Sequence, residues 1–517
     1  VIALWWRRLT TMRTAIILLG LLALAAIPGS LLPQRGADIS RVEQYLLQHK
    51  TSGPWLDRLS LFDVYAAPWF AAIYLLLTIS LVGCLVPRIR LHARSLGARP
   101  PAVSPRAAAE HSFHTRASAE QVLAQAARRT RGWRRTTTES SLTADRSLLR
   151  ESANLAFHVS ILVLLLGVAF GSVAGFEGDR VLVEASGLET DSGLLSSSYL
   201  TNSAGLYDDV RPGRAYQLSQ LHPWTLQLTD FTTTYQDGTT TPRDFDARVR
   251  WRTGPGRPWR DSTIRVNSPL DIGGDKVYLL NHGYAPVVRL RTAAGVTVAQ
   301  EPVVCPLLAP RTGLARCVFK VPDLPDGRQL GFRMTFAPTG VFSPTGGVLS
   351  QDPRLRNPDL LVEAFTGNLH TDRAQSVYVM DTTDLRSVKV ENLVLADPLR
   401  SVMTGLPGGY VLDVTRIQEW ASVRVKRDPG KPVVLLGAIV AIGGVLLSLA
   451  LRRRRVWVRV VPGSAADGGR TLVQVGAIPR TERDREAAQR DAARLHRRLA
   501  QDLQPTDREL ADLQASR

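Results

Sequence analysis

The chain has 517 residues, 44% of them hydrophobic, and a formal net charge of +18. Its three cysteines, Cys84, Cys305 and Cys317, exclude a dense disulfide scaffold and any Cys-rich metal or iron–sulfur site. The basic excess suggests nucleic acid, but no RNP-like, zinc-finger or helix-turn-helix pattern is present, and the placement of the charge argues for a membrane instead.

Residues 1–13 set Trp5 and Trp6 beside Arg7 and Arg8, an interfacial anchor ahead of the first apolar run, 14–32. That run is too long for a cleaved signal peptide, and Pro28-Gly29-Ser30-Leu31-Leu32 is no small-residue cleavage site. Residues 33–67 follow as a loop. Within it Ile39, Val42, Leu46 and His49 recur at helical spacing and predict a short amphipathic helix over 37–49. Trp69 opens the second apolar run, 68–86.

Residues 87–153 begin with a Pro-rich linker and then carry Ser118-Ala119-Glu120-Gln121, a capping box before an Ala-rich helix ending near Arg129. A strand over 132–138 completes a small α+β insertion, whose arginines read as a solvated, lipid-facing surface. The third and fourth apolar runs are 154–173 and 432–451. Each of the four is close to the roughly 20 residues a bilayer requires, and none contains Asp, Glu, Lys or Arg.

Between the last two runs lies a long β-rich segment, 174–431. Trp224, Leu226 and Leu228 alternate with polar residues, as do Phe245, Ala247, Val249 and Trp251. Further strands are expected at 276–280, 287–291, 332–336, 360–365, 375–380 and 410–417, with turns at Asp237-Gly238, Gly273-Gly274 and Gly408-Gly409. The spacing favours an antiparallel sandwich or partly open barrel. In the tail, 452–517, two strands over 456–461 and 471–475 precede a charged helix over 481–503, stabilised by i,i+4 pairs.

The fold class is therefore an α-helical membrane protein with four transmembrane helices plus a large extracytoplasmic all-β domain. Residues 87–150 hold 13 Arg against four acids, and the tail holds 15 against nine. Residues 174–431 are nearly balanced, 29 basic to 28 acidic. The positive-inside rule then puts both termini and 87–153 in the cytoplasm, and 33–67 and 174–431 outside.

Hydrolase and kinase signatures are absent, and with no Cys-x-x-Cys-His the chain is not itself a c-type cytochrome. No catalytic residue is assigned. His158 is the one Asp, Glu, His, Lys or Arg inside the four runs, one turn into the third. A polar group at membrane depth marks an ion, proton or cofactor site, and neutral imidazole is a good axial ligand for haem iron. An interhelical hydrogen bond or a headgroup-level histidine is the alternative. His49, His222, His282 and His370 are dispersed and lack metal spacing; His282, in Asn281-His282-Gly283-Tyr284, reads as a turn in which Gly283 takes unusual backbone angles. Cys305 and Cys317 enclose a short loop on the oxidising side, which suits a structural disulfide, with free thiols or an exchanging dithiol as the alternatives. Cys84 reads as a packed small hydrophobe.

Several strings resemble the ResB (CcsB) family of the system II cytochrome c biogenesis machinery. They are Ala25 to Arg35 around the first exit, Leu59 to Tyr65, and Gly83-Cys84-Leu85-Val86-Pro87-Arg88. Asn154-Leu155-Ala156-Phe157-His158, His282 to Pro286, Gln375 to Tyr378, Asp428-Pro429-Gly430 and Arg452 to Val456 complete the set. The resemblance implies a multi-pass protein of the bacterial cell membrane, working with a ResC (CcsA) type partner that carries a Trp-rich haem-handling segment absent here. It implies haem b as cargo, taken from the inner side and presented for thioether attachment to apocytochrome c, with His158 as an axial ligand shared with the partner. A thioredoxin-like reductant is implied as a further partner, because thioether formation needs free thiols. Two alternatives remain at this stage, a scaffold that docks apocytochrome without touching haem and a membrane sensor.

Overall fold

Hydrocarbon offers a backbone amide no water, so a crossing segment must satisfy its own N–H and C=O groups. Four helices in the computed structural model are long and apolar enough to do this: Met12–Leu31, Pro68–Gly97, Leu148–Ala174 and Lys431–Ala450. We number these spans one to four. The structure describes residues 2–503 apart from 37–38, 105–108, 147, 186–194, 343–346, 372–376, 398–399, 452–453, 463–469 and 479–481. Two compact units result, one of Val1–Gly36, Thr51–Val168 and Lys431–Arg517, the other of Ala37–Lys50 and Ala169–Gly430.

Two spans are longer than their apolar runs. Span two continues through Pro87 to Gly97, and span three begins at Leu148. His158 therefore lies nearly three turns from the start of its helix, not one. Lipid tails give no hydrophobic drive for helices to associate, so close backbone approach must hold them together. Spans three and four meet in this way. A Cβ built on Gly444 would lie 2.9 Å from the Ala153 carbonyl oxygen and 3.0 Å from the Phe157 nitrogen, backbone atoms that cannot rotate aside. Gly437 sits similarly on Leu164, and Gly167 on Val434. Outside this seam the spans show lipid-suited side chains such as Ile16, Leu75, Leu166 and Ile442.

The strings after span one and before span two interlock. Arg35 reaches Asp57 and Asp63, each at 2.7 Å. Gln34 donates to the Leu61 carbonyl at 3.0 Å and accepts from the Val64 amide at 3.1 Å. The short helix expected in this loop forms over Ile39–Gln48.

The insertion and the tail are one structure. Their strands form a single antiparallel sheet in the order His111–Thr115, Thr471–Ala477, Arg455–Val461, Ser141–Asp145, Arg134–Thr137. Helices Ala119–Arg129 and Glu482–Leu503 supply Val122, Ala126, Ala492, Leu495 and Leu499 to a core shared with Leu142, Val458 and Val475. The expected capping box is present, with Ser118 and Gln121 bonded reciprocally. The charged tail helix, expected to stand on i,i+4 pairs, is instead amphipathic and buries an Ala/Leu stripe. It packs on the two strands just before it and also on strand His111–Thr115 and helix Ala119–Arg129, from the far side of spans three and four in sequence, so no local pattern could show all that the stripe faces.

The β-rich unit is antiparallel throughout its ladders but holds two cores. Sheets of seven, five and four strands, with a small two-stranded ribbon, make it up. Two strands of 17 residues, Asp275–Arg291 and Val411–Arg427, pair along their length. At one end Val277, Val423 and Val425 pack with Leu226, Leu228 and Val249 of the four-stranded sheet. At the other, Val288, Leu290 and Leu412 pack with Phe319, Phe332 and Phe336 of the five-stranded sheet. Register shifts between Leu279 and Asn281 and between Val287 and Val288 re-aim the apolar face from one core to the other.

Two expectations fail here. Segments 276–280 and 287–291 are one strand, not two joined by a turn. Residues 377–380 are turn and coil, not strand, and the start of that expected strand lies outside the described residues.

Because the Gly444 contact is to backbone, Gly444→Leu should open the seam between spans three and four at a cost of about 1–3 kcal/mol. A lower melting temperature of the detergent-purified protein checks this, with Gly443→Leu, where a Cβ meets nothing, as the silent control.

Candidate functional site

His158 is half-buried on span three. Its Nδ1 lies 2.7 Å from the Asn154 carbonyl oxygen one turn back. A carbonyl can only accept, so Nδ1 carries the proton and Nε2 keeps its lone pair. Nε2 has no hydrogen-bond partner among the described residues. The ring meets Phe157 edge-on at 5.1 Å between centroids. Ala153, Phe157, Leu164 and Gly167 occupy the seam with span four, and helical periodicity turns His158 about 100° from Phe157, out of that seam. A metal-binding imidazole commonly donates its other N–H to a carbonyl, which fixes the tautomer and raises the basicity of the ligating nitrogen. The local sequence achieves this with the helix's own backbone.

Cys305 and Cys317 form a disulfide with Cα atoms 4.4 Å apart. Both are fully buried in the core around Phe319 and Phe332, a position that withholds the sulfurs from a partner's thiol. Cys84 is half-buried and its thiol contacts the Leu81 carbonyl at 3.2 Å.

The outer histidines do not come together, and among the described residues no group of three or more His, Cys, Asp or Glu could hold a metal ion. His49 bonds and stacks on Tyr45 within its own helix. His370 lies 3.4 Å from Asp384. His282 is not in a turn. It lies mid-strand opposite Ala421, between Phe231 at 5.2 Å and Phe245 at 4.6 Å, and burial pushes its imidazole down to about 4. Gly283 beside it serves close approach and not an unusual backbone angle: a Cβ there would come within 2.9 Å of Trp420 Nε1.

Sequence reasoning missed two groups. His92 lies on the extension of span two, past the end of the apolar run, and its Nε2 is 2.9 Å from Ser152 Oγ on span three. Glu419 sits in a long strand near Glu184 and Asp230; burial, then repulsion from those carboxylates, pushes it up to about 8. The i,i+3 spacing of Ile89 and His92 was the one local hint for the first. No local signal marks the second, because Glu184 and Asp230 lie on other strands.

A model of the ResB-like family matches residues 12–490. The chain belongs to that family. It is similar to the cytochrome c biogenesis protein CcsB of Synechococcus sp. (strain WH7803), 26% identical over 471 residues that cover 87% of this chain and 89% of the relative. CcsB of Paulinella chromatophora is 26% identical over 478 residues, covering 87% and 90%. CcsB of Thermosynechococcus vestitus is 23% identical over 453 residues, covering 86% and 87%. The ResB-like match thus runs through all four spans and the β-rich unit, and most of the joint loop–tail sheet.

Removing the bridge in this ResB-like chain, as Cys305→Ala with Cys317→Ala, should cost about 3 kcal/mol on the chain-entropy account. Melting curves with and without reductant measure it. A second test concerns pH. Between 4.5 and about 8 the folded state keeps a proton on Glu419 that an unfolded chain has released, so its contribution is present on the acid side and disappears as pH rises through 8. His282 acts oppositely, with a contribution present above 6.5 and lost as pH falls toward about 4. Glu419→Gln should therefore flatten the decline in melting temperature between pH 6.5 and 8, read by tryptophan fluorescence.

Proposed function

We propose that this ResB-like protein is the haem-holding subunit of a cytochrome c assembly complex. The observation that carries the reading is the His158 tautomer: Nδ1–H tied to the Asn154 carbonyl, and Nε2 on a ring turned out of the seam with span four. The relatives named for cytochrome c biogenesis supply the reaction context.

Haem is an amphipathic anion whose iron takes axial imidazoles and whose propionates resist hydrocarbon. His158 would hold the iron from one side, and a histidine of a ResC (CcsA) type partner would take the other. The apolar wall of span three would shelter the ring, while arginines of the loop and tail, on the cytoplasmic side with both termini, face the propionates. Delivery to the outer side leads to thioether formation with apocytochrome c. We assign that chemistry to the partner's outer site. Because the Cys305–Cys317 bridge is buried, a thioredoxin-like reductant would act on the client's cysteines and not on this chain's.

The visible spectrum of the purified complex tests the reading. His158→Ala should lower bound haem about tenfold or more, as loss of a metal-site residue does, and abolish covalent haem staining of client cytochromes. An unchanged Soret band would leave the protein a scaffold.

A further inference from the structure

Helix Glu482–Leu503 places Asp491, Arg494, Leu495, Arg498 and Asp502 at i, i+3, i+4, i+7 and i+11, and so on one face. That face meets the end of helix Ala119–Arg129. Asp502 accepts from Arg129 at 2.6 and 2.8 Å and from Gln125 at 2.7 Å, and these bonds hold its carboxyl down to about 2. Beside this clasp the two helices and strand Arg455–Val461 enclose a cavity of about 180 Å³. Trp133, Val456 and Leu495 give it apolar walls, and Arg129, Arg494, Arg498 and Asp491 supply its charge. Asp491 is met by Arg454, whose Nη1 stands 3.4 and 3.5 Å from its two oxygens. Arg494 and Arg498 stand one turn apart, a like-charge pair that works against the helix. Neither forms a hydrogen bond or an ion pair among the described residues; Arg498 acts on Asp502 through space. With Arg454 and Asp502 included, four guanidiniums face two carboxylates here, a surplus of two positive charges.

We infer that this cavity binds a phosphate group, held by Arg494 and Arg498. It has room for about six waters at roughly 30 Å³ each. That is enough for a phosphate and well below the roughly 300 Å³ at which pockets for larger cofactors begin. A phosphate monoester carries about −1.5 to −2 at neutral pH, which matches the surplus, whereas a lone carboxylate leaves one cation unmet. Guanidinium forks also fit phosphate oxygens in pairs of parallel hydrogen bonds. Bound there, the anion turns the repulsion between Arg494 and Arg498 into a clamp across the two helices. Val456 on the wall follows Ala450, the last residue of span four, by six positions, a reach of at most about 20 Å even for extended chain. A lipid phosphate at the membrane surface and a free phosphate ion can therefore both supply the group. The inference stands apart from the haem reading and shares no residue with it.

The test has two arms, both on the full-length chain in neutral detergent. Phosphorus NMR follows inorganic phosphate titrated at constant ionic strength, and native mass spectrometry follows retention of phosphatidic acid against phosphatidylcholine. Arg494→Gln with Arg498→Gln removes both cations at exposed helix positions, where glutamine is nearly as good a helix former. This pair should weaken phosphate binding about tenfold or more, the worth of one hydrogen bond to a charged group. Arg128→Gln with Arg497→Gln takes the same charge from the same two helices outside the cavity and should bind as the wild type does. Saturable binding of inorganic phosphate that only the first pair weakens supports the site with a soluble anion as its ligand. The same pattern for phosphatidic acid supports it with a lipid headgroup. If the two double variants weaken binding equally, the effect is diffuse surface charge and the inference falls. It falls too if neither probe binds saturably to the wild type.

Discussion

A polar group inside hydrocarbon must find its partner within the protein, and that constraint orders the helical part of this molecule. The hydroxyls of Thr78, Ser80 and Ser160 bond to the carbonyls of Tyr74, Leu9 and Phe157, and Tyr74 itself to Leu165. His158 obeys the same rule through Asn154. For a hydroxyl this ends the matter. For an imidazole it leaves a second nitrogen, Nε2, with no hydrogen-bond partner among the described residues. The bond that makes the residue tolerable in the span also fixes which nitrogen carries the proton.

Two imidazoles on different sides of span three give the chain a division of surfaces. His92 closes a slot formed by this chain's own spans. His158 is turned out of the seam with span four. The seam with span four is built from small residues that let backbones touch, and neither histidine takes part in it.

Outside the helices the organising device is the pair of 17-residue strands. A sheet with one buried face needs its apolar residues at alternate positions. These two strands serve two cores, and the register shifts let one ladder change the face it buries. Trp420 packed on Gly283 and His282 held between two phenylalanines both belong to this ladder. The family-like string His282 to Pro286 is thus a packing element of a central strand.

Much was legible in the residues alone. Uncharged runs near bilayer length announced four spans, because hydrophobicity and length are local properties. The capping box at Ser118, the strands around Trp224 and Phe245 and the tail strands were read for the same reason, and His158 stood out as the one Asp, Glu, His, Lys or Arg in an apolar run. What escaped was set by contacts between distant segments. The tail helix hid its core face because its sheet is assembled from strands on both sides of the spans. His92 gained meaning only when span two outran its apolar segment and met Ser152. His282 moved from a turn to a strand because Val411–Arg427 pairs along its whole length. Glu419 became a high-pKa acid because strands far apart in sequence brought Glu184 and Asp230 beside it. Composition and spacing determined which segments cross the bilayer and which residue types lie within them. Only the tertiary structure decided which side chains face one another, since burial, pairing and proton affinity depend on neighbours that the linear order does not name.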